Sequence, residues 1–491
     1  MLFNSFHFIV FFIAVTFFYY LLPHRFRWIL LLAASYIFYM AWRPELIILI
    51  IFSTFVNYTL SLKIYKSRNA ANRRRMLAAS VVINFTLLFV FKYLVFFNDT
   101  FIALFAGFGG KWPIESFDVI LPMGISFYTF QAAAYTIDVY RGDIKPVKNY
   151  GKFSLFITFF PQLVAGPIER SRNLLPQFYK KHRFNIKRVI LGLKIMMWGF
   201  FKKVVIADRA AIAVNTVFNS AQHYTGLTLV VATVLFSFQL YCDFSGYSDI
   251  AVGSAKVLGF NLMKNFDRPY LSKSVREFWR RWHISLSSWF MDYVYIPLGG
   301  SRGSKLKTYR NLFVTFLVSG LWHGANWTYV IWGGMHGVFI IIERITDGAR
   351  TKIKNLLGYK NNSFSFGIIN LFSVIFTFGL VTLSFIFFRA NSVGDAFYIF
   401  DHILWGFRSW TDPQYIYNTA LNLGMSLYEL KTVIIAILTL IAAELLLGGD
   451  IHRTLMKKNF FIRLAFYSFI AVFILTAGVF YNAGEFIYFQ F

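Results

Sequence analysis

Long apolar runs alternate with short basic segments along almost the whole chain. The first run, Met1 to Leu22, has no Lys or Arg before it, and PHRFR (Pro23 to Arg27) follows it. No small-residue cleavage site comes next, so the pattern predicts a first span with its N-terminus outside rather than a removed leader. Residues 28–41 and 46–62 read as two more spans, joined by a short turn at Trp42 to Glu45. Further runs at 77–97, 119–139, 189–206, 227–250, 366–388, 431–447 and 460–479 approach the roughly 20 apolar residues that cross about 30 Å of hydrocarbon.

Two stretches break this rhythm. FSLFITFFPQLVAGPIERSR (153–172) is interrupted by Pro161, Gly166 and Pro167 and flanked by basic loops on both sides. It is too short to span. It predicts a re-entrant segment, whose irregular backbone is tolerated only where protein buries it or a cavity borders it. The apolar region from Asn311 to Ile342 has the opposite problem. As one helix it would run about 48 Å, too long for one span and awkward for two. Gly320, Gly324 and Asn326 cluster near its middle and predict a break there.

Composition and charge sharpen this picture. Of 491 residues, 57% are hydrophobic and 14% charged, more apolar surface than a soluble chain can bury. The net charge of +27 would suggest nucleic acid, but the charge sits in short loops between apolar runs, so no nucleic-acid partner is expected. Lys63, Lys66, Arg68 and Arg73 to Arg75 share one loop, and residues 264–310 hold ten Lys/Arg. The positive-inside rule places both in the cytoplasm, with 344–354 and 452–458. The loop 98–118 and the Lys-free segment 390–430 fall outside. GGSRGSKLK (299–307) reads as a cytoplasmic turn rather than a phosphate loop. The single cysteine, Cys242, excludes an intramolecular disulfide and a cysteine-rich metal cluster; no metal site is expected. The fold class that emerges is an all-α polytopic membrane protein of ten to twelve spans, with re-entrant and interfacial helices, in a single domain over 1–491.

The candidate chemistry is histidine. SGLWHGANWTYVIWGGMHG (Ser319 to Gly337) holds His323 and His336 with no acid or base between them. A break near Gly324 would leave His323 deep in the bilayer, where an ionisable side chain is expensive and marks a functional site by default. For His336 the expected role is a neutral, hydrogen-bonded packing residue. On one continuous helix it would lie about 220° around from His323, so the two are not expected to share a cavity. In SKSVREFWRRWHISLSSWFMDY (272–293), Ser274 and Glu277 form a capping-box pattern that predicts a helix start. Val275, Trp279, Trp282, Leu286 and Phe290 would line one face; Arg276, Arg280, His283 and Ser287 would line another. This predicts a cytoplasmic interfacial helix with its tryptophans in the membrane. His283 would sit at the border, pointing along the interface or into the protein, and an interfacial and a functional role both stay open. Asp243 and Asp249, in YCDFSGYSD (241–249), are expected to cap helices or bond between them rather than bind a cation.

Five ordered motifs resemble the membrane-bound O-acyltransferase family, and within it the bacterial branch typified by alginate O-acetylation. They are LPMGISFYTFQAAAYTIDVYRG (121–142), FFPQLVAGPIERSR (159–172), QLYCDFSGYSDIAVG (239–253), FWRRWHISLSSWFMDYVYIPLGG (278–300) and LWHGANWTYVIWGGMHG (321–337). The likeness is dense from about 115 to 345 and weaker on either side. It implies tilted spans around a central tunnel, and it assigns the family's residue pair to His323, in LWHG, and His283, in RRWHISLS. The second position is asparagine in many eukaryotic members, so His283 is similar to the polysaccharide-modifying bacterial branch. Cys242 does not stand where a nucleophile is expected.

The resemblance implies an enzyme of the bacterial inner membrane that carries an acetyl group from cytosolic acetyl-CoA toward an exported polysaccharide such as alginate. No permanently bound cofactor is implied. A neutral imidazole at His323 can take the proton of an attacking hydroxyl. His283 or a backbone N–H near Gly324 would then meet the oxyanion. Acetylation of His323 itself, with onward transfer, is the mechanistic rival. No esterase-like segment is seen, so a separate periplasmic SGNH-type acetyltransferase is the expected partner, alongside membrane lipid. D-alanyl or peptidoglycan-directed transfer is a related alternative, and a polysaccharide or lipid transporter or flippase is the alternative from another class.

Overall fold

The structure, a computed structural model, describes residues 1, 3–164, 166–356, 363–480 and 486–487. Among them every regular element is helical. Six helices are long and apolar enough to cross a membrane on length and composition: Pro44–Lys66, Ala70–Gly107, Leu227–Leu258, Phe366–Arg389, Leu427–Leu447 and Phe460–Ala477. The expected ten to twelve spans counted shorter and broken runs as well, such as Phe6–Leu21, whose 16 residues reach only about 24 Å. The chain is thus a multi-pass membrane protein. It divides into two compact units, residues 1–196 with 248–263, and 197–247 with 264–491.

In the first unit the helices His24–Met40 and Ile47–Lys66 are joined by a 3-10 turn at Pro44–Leu46, where the turn was expected. The next helix, Ala70–Leu88, continues through a π-turn at Phe89–Tyr93 into Leu94–Gly107. The expected outer loop from residue 98 is therefore helical for its first ten residues, because no Gly or Pro occurs from Asn98 to Ala106 and the helix runs on to Gly107. Three helices of this unit are tied by a buried polar cluster. Asn57 and Asn84 exchange side-chain hydrogen bonds at 3.0 and 3.1 Å. Ser80 and Thr136 donate to Asn57 Oδ1 at 2.8 and 2.9 Å. Between apolar helices, which gain little by merely touching, such bonds serve as glue.

The segment expected to be re-entrant folds as two short helices, Tyr150–Thr158 and Phe160–Leu163, broken at Phe159. Residues 153–164 are buried throughout. Gln131 and Gln162 both donate to the Phe156 carbonyl at 2.8 Å, so the interrupted backbone keeps its partners inside protein.

In the second unit a π-helical segment, Phe201–Ala207, carries Lys202 and Lys203 inward. The close hairpin of this unit pairs Lys305–His323 with Trp327–Leu356. Their backbones meet at glycines: a Cβ on Gly320 would lie 2.3 Å from the Tyr329 carbonyl oxygen, and one on Gly333 would lie 2.4 Å from that of Phe316. The break falls where the sequence placed it. The first helix stops at His323, Gly324 is extended, and the Asn326 side chain accepts the Thr328 N–H at 3.0 Å.

Candidate active site

All residues of this site belong to the second unit. His323 closes the Lys305–His323 helix and is only 2% exposed. Its imidazole stands edge-on to Trp322, Trp332 and Phe388, with ring centroids 4.9, 5.0 and 5.4 Å away. The extended backbone at Gly324 lets the chain turn here. A Cβ on Gly324 would lie 2.1 Å from the Tyr329 ring, so no other residue fits without moving that ring.

His283 comes from a different element. Ser274 does start a helix, accepting the Glu277 N–H at 3.1 Å, but the helix ends at Arg281 and a second begins at Ile284. The expected continuous interfacial helix is therefore two short helices. The faces derived from it fail with it. His283 is fully buried, so of the two directions open to it at the border of the faces it takes the one into the protein. Trp279 packs against Phe316, Trp332 and His336 within the protein, not in lipid. The cause is local: His283 has φ of 44°, a left-handed conformation that a residue with a Cβ adopts only at a cost of about 1–2 kcal/mol. The surrounding strap compensates. Asn265 accepts the Ile284 N–H at 2.9 Å through its carbonyl, and its side chain accepts from the Ser285 N–H and hydroxyl at 3.2 and 2.8 Å. Strain held this firmly is typical of functional sites.

The two histidines that the sequence singled out are brought together. Their ring centroids are 6.4 Å apart. That is too wide for a direct hydrogen bond between the rings and close enough for one small group to touch both. The Phe244 ring stands edge-on to His283 at 4.5 Å, and Trp322 adjoins both imidazoles, 5.9 Å from His283. The pair thus sits in an aromatic box nearly closed to water.

His336 is placed differently. Its Nδ1 accepts the Trp279 indole N–H at 3.2 Å, and its Nε2 meets the Ser384 hydroxyl at 3.0 Å. Ser384 donates its own hydrogen to the Val381 carbonyl at 2.6 Å, so Nε2 is the nitrogen that carries the proton. Both ring nitrogens are committed, as a packing histidine requires. It still reaches His323 indirectly, because Trp332 lies 5.0 Å from each ring.

Asp243 forms an interhelical ion pair. Lys203 lies 2.6 Å from Asp243 and 2.8 Å from Asp208, and Asp243 also accepts the Ile487 N–H at 2.7 Å. Buried charges at this density hold together only when paired. Asp249 is less buried, and Cys242 is buried in the same helix. Lys203, Asn265 and the left-handed turn at His283 are not marked by the spacing of residues in the sequence. Lys203 has a visible signal of another kind, a KK pair inside an apolar run.

A sequence profile of the membrane-bound O-acyltransferase family matches residues 147–386, a stretch containing both histidines. A probable alginate O-acetylase AlgI from Azotobacter vinelandii is 41% identical over 397 residues, covering 80% of this chain and 75% of that protein. The chain belongs to the membrane-bound O-acyltransferase family. A peptidoglycan O-acetyltransferase from Helicobacter pylori is 36% identical, covering 74% of this chain and 71% of its own. A teichoic acid D-alanyltransferase from Streptococcus thermophilus is 30% identical over 45% of this chain and 56% of its own. As a member of this family the protein is a membrane O-acyltransferase, and the alginate-type relatives are similar over more of its length than the D-alanyl type.

Proposed function

We propose that residues 1–491 work as one acyltransferase domain of the bacterial inner membrane, taking an acetyl group from cytosolic acetyl-CoA for O-acetylation of an exported, alginate-like polysaccharide. The observation that carries this reading is the buried pair His323 and His283, 6.4 Å apart in an aromatic box. His323 is the base. It takes the proton of the acceptor hydroxyl as the oxygen attacks the thioester carbonyl; the C–S bond then breaks and coenzyme A leaves as its thiol after protonation. His283 stabilises the oxyanion formed on the way, held in place by the Asn265 strap. A periplasmic SGNH-type partner completes delivery to sugar.

The test uses the purified protein in detergent with labelled acetyl-CoA and an oligosaccharide or the periplasmic partner. Acetyl transfer without any membrane gradient is the expected result, because the thioester supplies the driving force. A transporter would show no turnover in detergent and movement only between two compartments, and that outcome would overturn the proposal. Transfer of D-alanine in preference to acetyl would replace the donor assignment while keeping the histidine pair.

A further inference from the structure

A groove within the second unit lies apart from the histidine pair. It runs between the start of Val275–Arg281, the later half of Trp327–Leu356 and the middle of the Ser363–Arg389 helix, and its volume is about 1020 Å³. That is at the upper end for a small-molecule site. Its walls are apolar: Phe339, Ile342, Ile353, Phe372 and Phe376 among them, the last two 68% exposed.

One end of the groove is charged. Lys273, Glu343 and Arg350 line it. Arg276 takes up the acids, with Asp347 at 2.7 Å and Glu343 at 3.4 Å. Arg350 reaches the same two carboxylates only at 3.9 and 4.0 Å. Glu277, whose carboxylate accepts the Lys273 backbone N–H, is held by Arg281 at 2.6 Å. The Lys273 ammonium forms no ion pair among the described residues and sits 5.6 Å from the Phe366 ring. The groove end therefore has three cations against two acids, with the surplus on Lys273 and the loosely held Arg350.

We propose that this groove is a binding site for one anionic phospholipid, its acyl chains along the apolar walls and its phosphate between Lys273 and Arg350. Exposed rings and aliphatic side chains in a membrane protein attract acyl chains of any lipid. The one surplus positive charge at this end selects a negative headgroup among them, favouring an anionic lipid by roughly fivefold.

The purified full chain in detergent, stripped of lipid, is offered an equal mixture of phosphatidylglycerol and phosphatidylcholine, and retained lipid is counted by mass spectrometry of the intact complex. Phosphatidylglycerol should be retained over phosphatidylcholine by about fivefold or more. Lys273→Gln combined with Arg350→Gln should bring the ratio near one, and Lys273→Arg should keep it. Ser373→Trp, which fills the apolar part, should reduce retention of both lipids. Equal retention by the unmodified protein overturns the proposal without any variant. So does an undiminished preference in the double variant, or a protein helix found seated in the groove.

Discussion

The indole N–H of Trp279 donates to Nδ1 of His336 at 3.2 Å, which leaves that histidine no free nitrogen for chemistry once Ser384 has engaged the other. His336→Ala removes a fully buried ring and orphans the indole donor. The expected cost is about 2–4 kcal/mol of stability. Acetyl transfer per folded molecule should persist at low temperature. A thermal midpoint equal to wild type together with lost activity would reassign His336 to the reaction.

Asn265 holds the turn that aims His283, accepting from the Ile284 and Ser285 N–H groups. Asn265→Ala removes the acceptor for the Ser285 N–H and hydroxyl. Turnover should fall by about tenfold or more with KM little changed, because a misaimed oxyanion donor weakens the transition state more than the bound substrate. Asn265→Asp, which keeps an acceptor oxygen, should recover part of the rate. A pure loss of stability with normal turnover would make the strap merely structural.

The polar cluster of the first unit should behave as glue. Asn57→Leu should destabilise by about 1–2 kcal/mol, and Asn57→Leu with Asn84→Leu by less than the sum of the two, since each alone strands the other amide. Thermal unfolding of the four proteins in one detergent measures the coupling. Strict additivity would contradict the reciprocal bonds.

Asp267, whose N–H donates to the Arg281 carbonyl at 2.9 Å, belongs to the same strap and tests it by pH. Burial raises its carboxyl, but Lys264 at 3.0 Å, with Arg268 and Arg281, outweighs this and holds it below the usual aspartate value. A lowered folded pKa gives stability that is present above the unfolded value of about 3.9 and lost as pH falls through the folded one. The group is 38% exposed, so the gain is below about 1 kcal/mol. Asp267→Asn should therefore be slightly less stable than wild type at pH 7, and the gap should close below about pH 4. A gap independent of pH would remove the charge from the explanation.

What the sequence revealed followed from periodicity and from residues that are costly in hydrocarbon. Apolar run lengths gave the helical class, Gly320, Gly324 and Asn326 gave the break, and the burial cost of an imidazole singled out His323. What it hid depended on backbone departures from the regular helix. A 3.6-residue period assumes unbroken geometry, so it put His283 on a helix border when a left-handed residue turns it inward. The π-segment at Phe201–Ala207 likewise turns Lys203 toward Asp208 and Asp243, contacts that no linear spacing encodes. Asn57 and Asn84 were visible as amides inside apolar runs, but their pairing needed the packing of two helices.

The proposed role of His323 is to carry the acyl transfer. The most direct measurement compares transfer of labelled acetyl from acetyl-CoA by wild type and His323→Ala, purified in the same detergent at matched amount and matched elution. The variant should fold, since a ring lost among Trp322, Trp332 and Phe388 leaves an apolar-walled gap, and transfer should fall by at least about 10²-fold for want of the base. Transfer by His323→Ala at the wild-type rate would contradict that role.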